Sequence, residues 1–188
     1  MSKKLKLVLG VVGLIAVLAI AGIAHYLIPG TTDSAQLQTG QPPAADTSDR
    51  TPAPDFAMLD RDGNAVQLSD MKGRPIVLSF WTSWCPACSA GQPNFDAAYR
   101  EFGGQVQFIM LNLTDGRRET KQSATAYLEE HGYTFPVFFD TEGNGAMAYG
   151  VRSIPTTVFI DQNGNIAATF QGFMSAEALR REIDLIRE

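Results

Sequence analysis

The chain has 188 residues, of which 45% are hydrophobic and 19% charged, and its net charge is −5. That composition excludes a disordered chain and describes one that can bury a core. The acidic balance leaves no electrostatic footprint for nucleic acid.

Leu7 to Ile28 is 22 residues without Asp, Glu, Lys or Arg, and it follows Lys3, Lys4 and Lys6. At 1.5 Å per residue such a run crosses a bilayer core of about 30 Å. The basic flank holds the N-terminus in the cytoplasm and sends the rest outside. A cleaved signal peptide shares the basic start, and Ala19-Ile20-Ala21 would be its small-residue cleavage site. Its apolar core spans only about 7–15 residues, however. The expectation is a single-pass anchor over residues 1–28, in the cell membrane, with the catalytic domain extracytoplasmic. Residues 29–50, rich in Gly, Thr, Ser, Gln, Pro, Ala and Asp, read as a flexible linker. Residues 51–188 remain as one domain, with 11 basic and 17 acidic side chains and a net charge of −6.

Within that domain, the runs 55–60 and 65–68 flank Arg61-Asp62-Gly63-Asn64 and predict a β-hairpin. Residues 69–73 make a short capped turn. Ile76–Trp81 is a continuous apolar run, the pattern of a strand buried on both faces. A helix follows Cys85 and runs to about Phe102, with Pro93 inside as a kink. Val106–Leu113 is a second buried strand. A helix is expected from Glu119 to Glu130, with Ala124, Tyr127 and Leu128 on one face and His131 in its last turn. Then come a strand at 135–140, a short helix at 144–150, strands at 156–160 and 166–170 around a turn, and a last helix. Ser175 caps that helix, and Leu179, Ile183 and Ile186 form its stripe. Strands alternating with helices, then a hairpin and a helix, give an α/β sandwich around a mixed sheet.

Cys85-Pro86-Ala87-Cys88 carries the chemistry. Proline fits the first helical turn, where its missing N–H loses no partner. Cys85 therefore sits at a helix N-terminus, where free N–H groups and the macrodipole favour a thiolate. Cys88, three residues on, shares its helix face and can attack a mixed disulfide on Cys85. A zinc site would need two further Cys or His ligands, and the chain offers only His25, in the apolar N-terminal run, and His131. A disulfide staple over so short a loop contributes only about 2 kcal/mol. Two buried inert cysteines would not be expected at a strand-to-helix corner. Dithiol redox chemistry is the reading, with no metal and no cofactor beyond a Cys85–Cys88 disulfide.

With these residues placed, the chain resembles membrane-anchored thioredoxin-fold proteins of the ResA/TlpA type. The resemblance rests on Ala53-Pro54-Asp55-Phe56, Phe80 to Cys88, Phe135-Pro136-Val137, Tyr149-Gly150-Val151 and Ile154-Pro155-Thr156-Thr157. It implies a thioredoxin-like sandwich with an N-terminal β-hairpin and a central insertion around residues 114–140. It implies that Cys85 is the nucleophile and Cys88 the resolving thiol, with Trp84 and Pro86 shaping the rim. Pro155 matches the family's cis-proline, and the backbone of Ile154 is left to pair with an extended substrate. The activity implied is an extracytoplasmic thiol–disulfide oxidoreductase. Its partners would be disulfide-containing exported proteins such as apocytochrome c, with a membrane thiol carrier as electron donor. Two departures stand out. Many relatives carry Glu where Gly91 stands, and plain thioredoxin has a buried Asp where Ser79 stands, so proton transfer from Cys88 must use water or another group. Two other functions fit the residues less well. A peroxiredoxin needs proline where Leu78 stands, and a copper chaperone of this fold spaces its cysteines by three residues and adds a distal histidine.

Overall fold

The computed structural model of the protein describes residues 51–188 apart from Lys72. The expected anchor (1–28) and linker (29–50) lie outside the described residues, among which no helix is long and apolar enough to cross a membrane. The strands are β1 (Ala57–Leu59), β2 (Ala65–Gln67), β3 (Ile76–Trp81), β4 (Gln107–Asn112), β5 (Val137–Phe139), β6 (Thr156–Ile160) and β7 (Ile166–Gln171). The helices are α1 (Pro86–Phe102), α2 (Lys121–His131), α3 (Asn144–Ala148) and α4 (Ala176–Arg187). A single-turn 3-10 helix, Leu68–Met71, follows β2, where the sequence predicts a capped turn.

Among the described residues the strands form one mixed sheet in the order β2-β1-β5-β4-β3-β6-β7. β3 pairs in parallel with β4 and antiparallel with β6. All six residues of β3 are buried, as a strand covered on both faces requires. Because side chains alternate along a strand, Ile76, Leu78 and Phe80 join one core with Phe56, Met58 and Leu68. Val77 and Trp81 join the other, beneath α1, α2 and α4. The expected hairpin is β1–β2, and the central insertion supplies α2 and β5. This is a thioredoxin-like α/β sandwich.

The last helix packs on the sheet through the expected stripe: Leu179 and Ile183 are fully buried and Ile186 nearly so. Each such side chain contributes about 1.5–3 kcal/mol by leaving water. Helix α1 contains Pro93 and nevertheless continues to Phe102. Proline removes one hydrogen bond, while Phe95, Ala98 and Phe102 keep the helix seated by their burial. Helix α2 begins later than expected. Thr120 and Ser123 form a reciprocal capping box, so the first helical residue is Lys121 and Glu119 stays outside. That shift of two residues decides what Glu119 does.

Asp140 caps the short α3, its carboxylate accepting from Gly145 N at 3.2 Å and Ala146 N at 2.8 Å. A Cβ on Gly145 would lie 2.7 Å from Phe56 Cε2 and 2.8 Å from Leu111 Cδ2, so only glycine lets this helix close on the core. Nearby, the Tyr149 hydroxyl donates to Pro54 O at 3.0 Å. Burial, and less so the charge of Asp55, pushes its phenol well above the ordinary tyrosine range. Gly145→Ala should lower stability by about 1–3 kcal/mol through overpacking. Urea denaturation should show this as a lower midpoint with an unchanged slope.

Candidate active site

Strand β3 ends at Trp81, and the chain turns through Thr82 and Ser83 into α1. A buried carboxylate fixes this corner. Glu119, with no exposed surface, accepts from Ser83 N at 2.9 Å and from Ser83 Oγ at 2.7 Å. It also accepts from Asn112 Nδ2 at 2.6 Å, and Thr114 Oγ1 in turn donates to Asn112 Oδ1 at 2.8 Å. The loop that delivers Glu119 is folded by Asp115, whose Oδ1 accepts from Arg117 N and Glu119 N. Those backbone bonds, that from Glu119 foremost, hold the Asp115 carboxyl below the ordinary carboxylate range. Asn112 is wholly buried in this network.

The corner delivers Cys85 as the N-cap of α1, with φ −89° and ψ 111° and Pro86 just inside the helix. The Cys85 sulfur accepts the Cys88 backbone N–H at 3.2 Å, so sulfur does the work usually given to a Ser or Asp oxygen at such a cap. Cys85 and Cys88 are joined as a disulfide with Cα atoms 5.2 Å apart. Both are buried, at 5% and 3% exposure. On the other side, the Cys85 sulfur lies 3.9 Å from Ile154 O. The Ile154–Pro155 bond is cis, and that loop is tied by Thr156 Oγ1 to Ser153 O and by Gly172 N to Pro155 O, each at 2.7 Å. Sequence and structure thus bring Cys85, Cys88, Ile154 and Pro155 together. Trp84 stands on the rim at 40% exposure, with the Arg118 guanidinium 3.5 Å above its ring, a cation–π pair. Pro86 is exposed beside it.

Two further ties hold α1. Tyr127 Oη donates to Ser89 Oγ at 2.9 Å. Asp96 accepts from Thr134 N and Oγ1 at 2.6 and 2.9 Å and pairs with Arg100 at 2.7 Å. At the two departures from the family pattern, Ser79 Oγ lies within hydrogen-bonding distance of Thr157 Oγ1, at 3.2 Å. A Cβ on Gly91 would face Phe173 Cδ2 at 3.7 Å. A longer side chain at 91 would meet that ring. Behind the disulfide, Cys88, Gln92, Phe95, Met110, Pro155 and Phe173 line a small cavity.

Residues 50–169 match the AhpC/TSA family. The chain belongs to that family of thioredoxin-like proteins. Among curated relatives, the thiol–disulfide oxidoreductase ResA of Geobacillus kaustophilus is 33% identical over 136 residues, covering 72% of this chain and 76% of that one. The thioredoxin-like protein YneN of Bacillus subtilis is 29% identical over 166 residues, covering 88% and 96%. A Chlorobium tepidum crystal structure assigned as a thiol:disulfide interchange protein DsbE superposes with a TM-score of 0.67 at 31% identity, covering 74% and 97%. The chain is a thiol–disulfide oxidoreductase of the ResA type, and the peroxiredoxin alternative is not favoured.

Sequence reasoning missed Glu119, which it assigned to a helix start, because the Asp115 turn and the capping box that expel it are loop geometry. It also passed over Gln92, although four residues after Cys88 on one helix is a legible spacing. Removing the Glu119 carboxylate leaves three donors unpartnered, each at about 1–3 kcal/mol. Glu119→Ala should therefore lose about 3 kcal/mol or more in chemical denaturation. Glu119→Gln, which keeps one acceptor oxygen, should lose about 1 kcal/mol.

Proposed function

We propose that the domain works outside the cell membrane, tethered by Leu7–Ile28, as a reductant of disulfides in exported proteins. Apocytochrome c Cys-x-x-Cys-His sites before haem attachment are the expected substrate, and a membrane thiol carrier is the expected source of electrons. The observation that carries the chemistry is the Cys85 sulfur acting as the N-cap acceptor of α1. When the dithiol is reduced, the same N–H groups and helix dipole favour Cys85 as a thiolate.

The Cys85 thiolate attacks one sulfur of the substrate disulfide. A Cys85–substrate disulfide forms, the substrate S–S bond breaks, and the other substrate sulfur leaves as a thiolate. Cys88 loses its proton and attacks the Cys85 sulfur. The Cys85–Cys88 bond forms, the second substrate thiolate leaves, and two electrons have passed to the substrate. Ile154 and Pro155 lie beside the reacting sulfur, where an extended substrate segment can pair with the backbone as an added strand. Trp84 and Pro86, exposed on the rim, supply apolar surface to the same segment. A reducing role also fits the Pro-Ala pair between the cysteines, which lacks the histidine carried by some strongly oxidising relatives.

Cys88→Ala in the full chain should accumulate mixed disulfides on Cys85, and mass spectrometry of the trapped species should return exported proteins bearing paired cysteines. The Cys85–Cys88 potential should lie near the thioredoxin value of about −270 mV. A potential near about −120 mV, the range of strong oxidants, would overturn the reducing assignment.

A further inference from the structure

The second sulfur to react is enclosed, and the residues around it are almost entirely neutral. Cys88 is 3% exposed, and burial in apolar surroundings raises a thiol's pKa. The cavity beside it holds about 10 Å³ for a water's centre, room for one molecule. The Ser79 hydroxyl there already has Thr157 as its partner. Gln92 lies four residues after Cys88, on the same helix face, and is 2% exposed. Neither its Nε2 nor its Oε1 has a hydrogen-bond partner among the described residues, and the same is true of Trp81 Nε1 on the same cavity. An unpartnered buried amide costs about 1–3 kcal/mol, a cost that an apolar side chain of similar length would avoid. A polar occupant of the cavity would remove that cost.

We propose that Gln92 is the positioning residue for the resolving thiol: its side-chain amide holds one water against Cys88 and together they stabilise the thiolate as it forms. This rests on the reading of Cys88 as the resolving cysteine. In the mixed disulfide, the Cys88 S–H proton passes to the water and out through the cavity mouth to solvent. The thiolate attacks Cys85 Sγ, the Cys85–substrate bond breaks, and the departing substrate thiolate takes a proton from solvent. An amide is suited to this because it donates an N–H to sulfur without adding a second negative charge. Cys88 is the one titratable residue lining the cavity. On the surrounding elements stand Cys85, Asp96 and its partner Arg100 on α1, and Arg118 and Glu119 in the loop before α2. Tyr127 stands on α2 and the Arg181–Glu182 pair on α4. β6, β7 and residues 172–175 carry no charged side chain.

Stopped-flow mixing of the reduced full chain with dithionitrobenzoate resolves the two sulfurs. The fast release of thionitrobenzoate reports attack by Cys85, and the second release reports attack by Cys88. In Gln92→Met the second phase should slow about tenfold at pH 7 and its pH midpoint should rise by about one unit, with the first phase unchanged. In full-length Cys85→Ser, where Cys88 titrates without a neighbouring thiolate as it does in the mixed disulfide, the Gln92 side-chain amide resonances should shift with a closely similar midpoint. An unchanged second phase, equal slowing of both phases, or amide resonances that ignore the midpoint would each overturn the proposal. Absence of the first phase in the native chain would instead overturn the dithiol reading beneath it.

Discussion

Everything at this site depends on a corner of backbone held still by one buried carboxylate. A helix N-terminus can favour a thiolate only within its first turn, so a small displacement of the turn before α1 would take Cys85 out of reach of its N–H groups. Glu119 prevents that displacement by accepting both the backbone N–H and the hydroxyl of Ser83, two residues before Cys85. Asn112 ties the same carboxylate to the end of β4, which pairs with β3 along its whole length. The sheet, the corner and the helix cap thus form one hydrogen-bonded unit. The sulfur on that cap is held by the fold's most deeply buried strand, not by a loop of its own.

The two cysteines occupy different surroundings, and the difference fits the roles proposed for them. Cys85 has the helix end and the Ile154 carbonyl as polar neighbours, and the exposed Trp84 with its Arg118 cation stands on the rim above it. Cys88 faces inward, to Phe95, Met110 and Phe173. Proteins that place a carboxylate near the inner sulfur use it as a proton acceptor. Here Ser79 faces Thr157, and the space beside Gly91 belongs to Phe173. What remains on that side is the neutral amide of Gln92, buried and lining the same cavity as Cys88.

The parts legible in the sequence were those that periodicity and short motifs encode. The buried run 76–81, the stripe Leu179, Ile183 and Ile186, the hairpin turn at Gly63 and the Cys-x-x-Cys at a helix start each need only local spacing to be recognised. Pro155 was read from its family motif, since nothing local to Ile154-Pro155 distinguishes a cis bond. Glu119 was not legible. An acidic residue ahead of an amphipathic segment looks like an ordinary helix first turn, and only the Asp115 turn together with the Thr120–Ser123 box sends it inward. Gln92 was partly legible, because its spacing from Cys88 sets it on the buried face, but its lack of a partner is a three-dimensional fact. The expected anchor and linker lie outside the described residues, and their reading rests on composition and charge.

The ionisation of Cys85 is the most direct test of the whole arrangement. In the full chain carrying Cys88→Ala, the thiolate absorbance near 240 nm can be followed against pH with a single sulfur titrating. Half-ionisation well below the free-cysteine value is expected, with thiolate the major form at neutral pH. A curve that coincides with free cysteine would contradict it, because a helix end held in place by Glu119 would then be doing nothing for the sulfur it caps.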